Sequence, residues 1–557
     1  MSMQETSTVT ANEAATIYNS GPLRQEYDYI VCGAGSAGSV VARRLAESGE
    51  ASVLLLEAGG PDNHPGTLTP AQWLTNIGTE RTWGYRSEPE AGLNGRSMGL
   101  PMGRVVGGGS SVNGMVYIRG HKLDFDRWAD LTGDPRWGYE HALEIYRRIE
   151  DFHGPANHDY RGVGGLLSMC HDDDIKPVAR ALRNAGPGSG IVPYDDINGA
   201  ALEAPSFVGH GDLIIKDGRR ANMPTNYIYP ILRQGNLTIL THAAVERLQL
   251  VRARADGVVF SWRGAIRSVR ARREVILSLG AIHTPKILML SGIGDEAVLK
   301  RAGVPVMHRL DGVGRNLQDH TQATVIWEFK QPTWPTGFHF SQTLYFTNVS
   351  GGLRPDVAAV QLQIPFPSEK TAQTFNLPET GWSILSGLAN PVSRGTVTIR
   401  DGDPSSDVII RGNYLSAYAD MTTMRRGVQL ARELGAAPEL REFVKREIMP
   451  GPLTGQALDS YIRDSASTWF HMSGTCKMGN DALSVTDSEL RVRGIDNLRI
   501  ADSSIMPEIS MVPTMACCIL IGERAAELLL SEGTSTGRRA QKTDYREGRC
   551  LRLAAVS

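Results

Sequence analysis

Three glycines, Gly33, Gly35 and Gly38, fill the GxGxxG places of the run GAGSAG, and an acid, Glu57, follows 19 positions after the third. In this spacing the first glycine permits a tight turn and the second lets backbone N–H groups approach a pyrophosphate. The third allows close helix–strand packing, and the acid accepts hydrogen bonds from a ribose. The chemistry implied is the holding of a dinucleotide, and an acid at this place favours an unphosphorylated ribose, as in NAD or FAD. A second dense run, GRVVGGGSSVNG (Gly103 to Gly114), sets Gly107, Gly108 and Gly109 before Ser110, Ser111 and Asn113. Three consecutive glycines flanked by small polar groups suit a backbone lying against a flat or charged ligand.

Such residues need elements to position them. YDYIVC (Tyr27 to Cys32) reads as a buried strand, Ala37 to Ser48 as a helix, and SVLLLEAG (Ser52 to Gly59) as a second, parallel strand. The glycine turn then sits inside a βαβ unit with a helix N-terminus facing the phosphates. Asn236 to Leu240 and Val245 to Leu250 read as short strands, and REVILSLGAIHTPKILMLSGIG (Arg273 to Gly294) runs from a strand through Gly280 into an apolar helix. Phe125 to Trp128 and Tyr139 to Asp151 carry helical patterns, whereas Pro61 to Gly103 and Gly154 to Gly211 read as loop-rich. From Ala323 to Arg411 the apolar period becomes two. TVIWEF, VAAVQLQI and TVTIRDGDPSSDVIIR read there as antiparallel strands of one separate sheet, closed by a helix from about Ala419 to Leu434. The expected fold class is α/β (α+β), a Rossmann-like nucleotide domain with a second domain on an antiparallel sheet.

Composition narrows the function classes. At 557 residues the chain has room for roughly three or four domain-sized pieces. Its 58 basic and 60 acidic residues leave a formal charge of −2, which gives no field to hold nucleic acid. Six cysteines without a CxxC pair or zinc spacing read as reduced thiols, so no metal site is expected. No basic n-region precedes an apolar stretch at the N-terminus, and no run reaches the ~18 apolar residues of a membrane span. The expectation is a soluble, cytoplasmic protein. Residues 1–26 are expected to be a disordered leader and 533–557 a disordered basic tail.

Five ordered motifs resemble the glucose-methanol-choline oxidoreductase family of FAD enzymes, over nearly the whole chain from about Tyr27 to Leu530. They are GAGSAG with Glu57, GRVVGGGSSVNGMVYIRG (Gly103 to Gly120), GAIHTPKILMLSGIG (Gly280 to Gly294) and VGRNLQDH (Val313 to His320). The fifth is HMSGTCKMG (His471 to Gly479), followed by LRIADSSIMP (Leu498 to Pro507). The resemblance implies a discontinuous FAD-binding domain from 27–160, 210–322 and 460–532, and a substrate-binding domain from 161–209 and 323–459. It implies that Gly33, Gly35, Gly38 and Glu57 hold the ADP part, that Ser36, Ala37 and Ala58 are among the FAD-binding residues, and that Val245 meets the adenine. Gly107, Ser111 and Asn113 would lie beside the flavin and Asp502 near the ribityl-pyrophosphate, with Val105, Gly114, Val116, Gly280 and Ala501 as further FAD-binding residues. Some members attach the flavin covalently through a His directly after the paired serines. That place is Val112 here, so dissociable, non-covalent FAD is expected.

The family chemistry removes a hydroxyl proton to a base while hydride passes from the carbinol carbon to flavin N5. His471 matches the base His of HxxGT, and imidazole has the near-neutral pKa that the task requires. The second catalytic place, usually His or Asn, falls at Pro513, six positions after Pro507. Proline has neither a side-chain donor nor an N–H, so base duty falls on His471 alone. A Pro there is similar to a member of the family that oxidises a primary alcohol on an aromatic ring. Trp469, Phe470, Met511, Val512, Met515 and Cys517 point the same way, to an aromatic or apolar alcohol. The implied partners are a small alcohol and an electron acceptor, either O2 or a quinone-like or dye-type compound. Alternatives are a dehydrogenase of an aliphatic or choline-like alcohol, a non-redox hydroxynitrile-lyase-like flavoprotein and a nucleotide binder without catalysis. The acceptor and the oligomeric state stay open.

Overall fold

A computed structural model describes residues 9–171, 174–334 and 341–550. Two large sheets organise them, each with a hydrophobic core of its own. In the first, Glu26–Cys32 lies between Val53–Leu56 and Ala265–Leu277 and runs parallel to both. Leu237–Leu240 extends the parallel set past Val53–Leu56. The early part of Ala265–Leu277 pairs antiparallel with Arg254–Trp262, which pairs antiparallel with Ala244–Val251. Its far end takes Leu498–Ile500 as a parallel neighbour. One sheet thus draws on N-terminal, middle and C-terminal parts of the chain. Its central strands read as unbroken apolar runs because both faces are covered: every residue of Val53–Leu56 is buried, each side chain contributing about 1.5–3 kcal/mol. The helix Ser36–Ala46 packs on this sheet, and the long helix Met515–Cys550 packs on that helix, with Arg44 paired to Glu523 at 2.9 Å.

The second sheet has the order Val444–Met449, Thr321–Phe329, Gly381–Leu388, Val357–Leu362, Ser341–Thr347, Phe207–His210 and Val192–Pro193, with Ser467–Thr468 added on Thr321–Phe329. Its alternation sorts the two faces. Val357 and Ala359 pack with Met424, Val428 and Ala431 of the helix Tyr418–Gly435, whereas Ala358 and Leu362 face the other way, with Leu344, Leu385 and Trp469. The face away from the helix is left to form a wall.

Several expectations are corrected. The hairpin of TVTIRDGDPSSDVIIR, Gly395–Thr398 with Ile409–Arg411, does not join the large sheet; it forms a three-stranded sheet with Arg315–Leu317. A period of two marks a strand but does not name its neighbour. The stretch read as loop-rich contains the strand Leu167–Cys170 and the helix Pro177–Ala185. The leader is ordered from residue 9: Thr10 and Glu13 form a capping box on the helix Ala11–Ile17, and Ala14 and Tyr18 are buried. The T-x-x-E signal of that box was present in the sequence. The tail, too, is helical as far as Cys550, because Met515–Cys550 propagates from a buried first half and extending a helix is easier than nucleating one. No helix among the described residues is long and apolar enough to cross a membrane.

Candidate active site

Between the sheets lies a cavity of about 360 Å3 that joins two chemically different ends. At one end the turn after Glu26–Cys32 leads into the helix Ser36–Ala46. Gly33 holds φ at 98°, and a Cβ there would sit 2.3 Å from the Ser278 carbonyl oxygen. A Cβ on Gly38 would sit 1.9 Å from the Gly33 oxygen, so helix and turn are in contact. Gly35 caps the helix without a side-chain acceptor, which leaves first-turn N–H groups for an anion in the cavity. Gly33, Gly35, Ser36, Ala37, Glu57 and Ala58 all line this end, as does Val245. The Glu57 carboxylate accepts from the Ala34 N–H at 3.0 Å and the Gly59 N–H at 2.8 Å. Burial pushes it up to about 7 against the pull of those two donors.

The triple-glycine loop closes over this turn, the Gly107 N–H donating to the Ala34 carbonyl at 2.7 Å. Asn113, Gly114 and Val116 line the cavity, and so does Val112. Gly280 and Asp502 line it as well, joined by a 2.9 Å bond from the Gly280 N–H to Asp502 Oδ2, which also accepts from the Thr284 hydroxyl at 2.6 Å. Burial raises the Asp502 pKa despite these bonds. Val105, Gly107, Ser111 and Ala501 stand one layer behind the wall, and the Ser111 hydroxyl is already used, donating to the Val106 carbonyl at 2.7 Å. Sequence reasoning missed Arg220, which is buried without a carboxylate partner among the described residues and pins this loop. It donates to Asn113 Oδ1 and to the Asn113 carbonyl, both at 2.7 Å, and desolvation pulls its pKa down to about 9.

At the other end stand His471 and Pro513, both lining the cavity. The sheet face supplies Leu344, Val360, Leu362 and Leu385, and the loop before His471 supplies Trp469 and Phe470. The Trp469 indole N–H donates to Gln322 Oε1, and Gln322 Nε2 donates to the Ser467 hydroxyl at 2.8 Å, which fixes the indole plane. Phe470 adopts φ of 66°, a left-handed conformation that costs a bulky residue on the order of 1–3 kcal/mol and is found where surroundings hold a site in place. Met515 reaches the cavity; Met511, Val512 and Cys517 are buried behind it, and Cys518 is exposed to it instead.

His471 meets a second imidazole. His320 Nδ1 lies 2.8 Å from His471 Nδ1, and His320 Nε2 lies 3.2 Å from the Ala389 carbonyl oxygen. Burial keeps both rings neutral: His320 is pushed down to about 4, and His471 falls well below the usual imidazole range through burial and then the neighbouring His320. Below them, Asp319 accepts from the His471 backbone N–H at 3.0 Å and from the Tyr414 hydroxyl at 3.1 Å. VGRNLQDH carries both Asp319 and His320, and the signal for their role is strand pairing: Thr321 pairs with Thr468, and the Trp469 N–H donates to the His320 carbonyl at 3.0 Å. A further wall holds Trp83, Tyr85 and His283. The Tyr85 hydroxyl and His283 Nδ1 share a hydrogen bond, Trp83 lies 4.3 Å between centroids from His283 with the rings tilted, and the Arg104 guanidinium sits over the Trp83 ring.

The chain is similar to known proteins over most of its length. The GMC oxidoreductase family description matches residues 27–322 with its N-terminal part and 391–522 with its C-terminal part. An oxygen-dependent choline dehydrogenase of Vibrio vulnificus is 35% identical over 539 residues, covering 91% of this chain and 95% of that protein. One from Cronobacter sakazakii is 37% identical over 533 residues, 90% and 94% of the two chains. Among solved structures, pyridoxine 4-oxidase from Mesorbium loti superposes with a TM-score of 0.85 at 34% identity, over 90% of this chain and 98% of that one.

Proposed function

Because the chain belongs to the GMC oxidoreductase family, FAD-dependent enzymes that oxidise alcohols, we propose that it converts a neutral primary alcohol, aromatic or heteroaromatic, to the aldehyde with His471 as base. One observation carries this reading: a neutral imidazole and an apolar, aromatic wall share one cavity with a glycine-built anion cradle. The residues fit FAD. The uncapped helix turn at Gly33, Gly35, Ser36 and Ala37 would hold the pyrophosphate, Glu57 and Ala58 the ribose, and Val245 the adenine. Asn113, Gly114 and Val116 would flank the flavin, backed by Val105, Gly107 and Ser111, while Gly280, Ala501 and Asp502 would shape the ribityl end. Val112 has no nucleophilic atom, which supports non-covalent binding. When bound, FAD supplies the hydride acceptor.

The chain's own part is to bind, orient and deprotonate. The alcohol stacks against Trp469 and Phe470 with its hydroxyl toward His471, whose neutral ring accepts the hydroxyl proton. Burial serves this role by keeping the imidazole unprotonated at neutral pH. Pro513 offers no donor to the developing alkoxide, so His471 alone meets the oxygen from that side. Among the described residues at this end of the cavity no carboxylate lines the wall, which favours a neutral alcohol over a cationic one. The similarity to the structure named pyridoxine 4-oxidase supports an aromatic ring carrying the alcohol.

A choline-like substrate is the second reading, favoured by the relatives named choline dehydrogenase and by the ability of aromatic faces to hold a quaternary ammonium. Anaerobic bleaching of the bound flavin by a panel of benzylic, heteroaromatic and aliphatic alcohols and choline separates the two. The first reading expects the ring-bearing alcohols to bleach fastest; preferential bleaching by choline overturns it. H2O2 formation against dye reduction on the same sample distinguishes O2 from a quinone-like acceptor.

A further inference from the structure

We propose that His320 is a positioning residue that fixes which nitrogen of His471 carries the proton, placing the lone pair of the base on His471 Nε2. The inference rests on His471 being the base. A carbonyl oxygen can only accept, so the contact from Ala389 at 3.2 Å requires the proton of His320 to sit on Nε2. The Ser510 backbone also favours a proton on this ring; with that single proton on Nε2, toward Ala389, the buried and neutral His320 has a bare Nδ1. The His471 Nδ1 that faces it at 2.8 Å must be the donor, and a neutral His471 with its proton on Nδ1 carries its lone pair on Nε2. That nitrogen makes no hydrogen bond to the described residues, and His471 lines the cavity.

The backbone carbonyl of Ala389 therefore sets one tautomer and, through it, the next. The arrangement has the logic of a carboxylate orienting a catalytic imidazole, with a neutral ring in the carboxylate's place. A neutral acceptor orients the base without adding the charge that would hold it protonated. When the hydroxyl O–H bond breaks and an N–H bond forms at Nε2, the Nδ1–H goes on donating to His320, now from an imidazolium, and the hydrogen bond strengthens as the positive charge develops. The device also answers the loss at Pro513. The second polar partner of the base comes from the NLQDH run, held against it by the pairing of Thr321 with Thr468.

Two measurements test it. In the holoenzyme labelled with 15N-histidine, with the His471 signals assigned by their loss in His471→Asn, the proposal expects the neutral ring to be the Nδ1–H tautomer. An Nε2–H tautomer overturns it. Anaerobic flavin reduction is then followed in His320→Leu, which removes the acceptor, and in His320→Asn, whose Oδ1 stands in for Nδ1. The limiting rate is expected to fall about a hundredfold or more in the first and to stay within about tenfold in the second, with the alcohol dissociation constant little changed in both. Equal rates in the two variants overturn the proposal. If His320→Leu loses its flavin, the tautomer of the wild-type protein decides. Failure of every alcohol to bleach the wild-type flavin would instead reject the base assignment, leaving the tautomer to be read on its own.

Discussion

Asp319 accepts a 3.0 Å hydrogen bond from the backbone N–H of His471, tying the run that ends in His320 to the run that begins with His471. The Asp319 carboxyl is buried and also accepts from the Tyr414 hydroxyl; desolvation outweighs these donors and pushes it up to about 6. A raised carboxyl favours the folded state at low pH. Its contribution is full below the unfolded value near 3.8 and is lost as pH rises through about 6. Asp319→Asn keeps an oxygen for the His471 N–H and removes the titration. The Tm of the variant relative to wild type should therefore rise between pH 4.5 and pH 7.5, by an amount equivalent to about 2 kcal/mol. A pH-independent difference would contradict the assignment.

Gly35 lies at a φ of −74° with open space where a Cβ would go, and it lines the cavity. Gly35→Ala should therefore leave the thermal stability of the flavin-free protein within about 0.5 kcal/mol while weakening FAD binding about tenfold or more, because the new methyl occupies the space of the pyrophosphate. Titration of the apoprotein with FAD checks this; unaltered affinity would remove the cradle from that turn.

Val112 stands in the cavity wall where attachment would need a nucleophile. Acid precipitation of the yellow protein should leave a white pellet and a yellow supernatant. Flavin retained on the washed pellet would refute non-covalent binding.

The wall at Val360 offers a test of substrate charge, since Val360 is half-buried and lines the alcohol end. Val360→Glu supplies a countercharge, and the ratio of kcat/KM for choline to that for a benzylic alcohol should rise about tenfold or more. An unchanged ratio would mean that this wall does not read the substrate.

How much of this was legible in the sequence follows from what each signal is made of. The glycine turn and Glu57 form one local unit, so spacing alone located them, and a period of two located the strands of the second sheet. Spacing did not say that Glu57 would be tied down by the N–H groups of Ala34 and Gly59, nor that Ser111 would turn its hydroxyl away from the cavity. These depend on where loops close. His320 and Arg220 escaped for a related reason: their roles exist only once distant segments pair, Thr321 with Thr468 in one case and the Arg220 side chain with the Asn113 loop in the other. The hairpin at Gly395–Thr398 was recognised as strands but assigned to the wrong sheet, since alternation carries no information about the neighbour.

The most direct test of the central claim is anaerobic stopped-flow reduction of the bound flavin by a benzylic or heteroaromatic alcohol, comparing wild type with His471→Ala at equal flavin content. The account predicts an unchanged flavin spectrum and a limiting reduction rate lower by about 10²–10⁴-fold. A variant that is reduced within a few-fold of the wild-type rate would show that His471 is not the base.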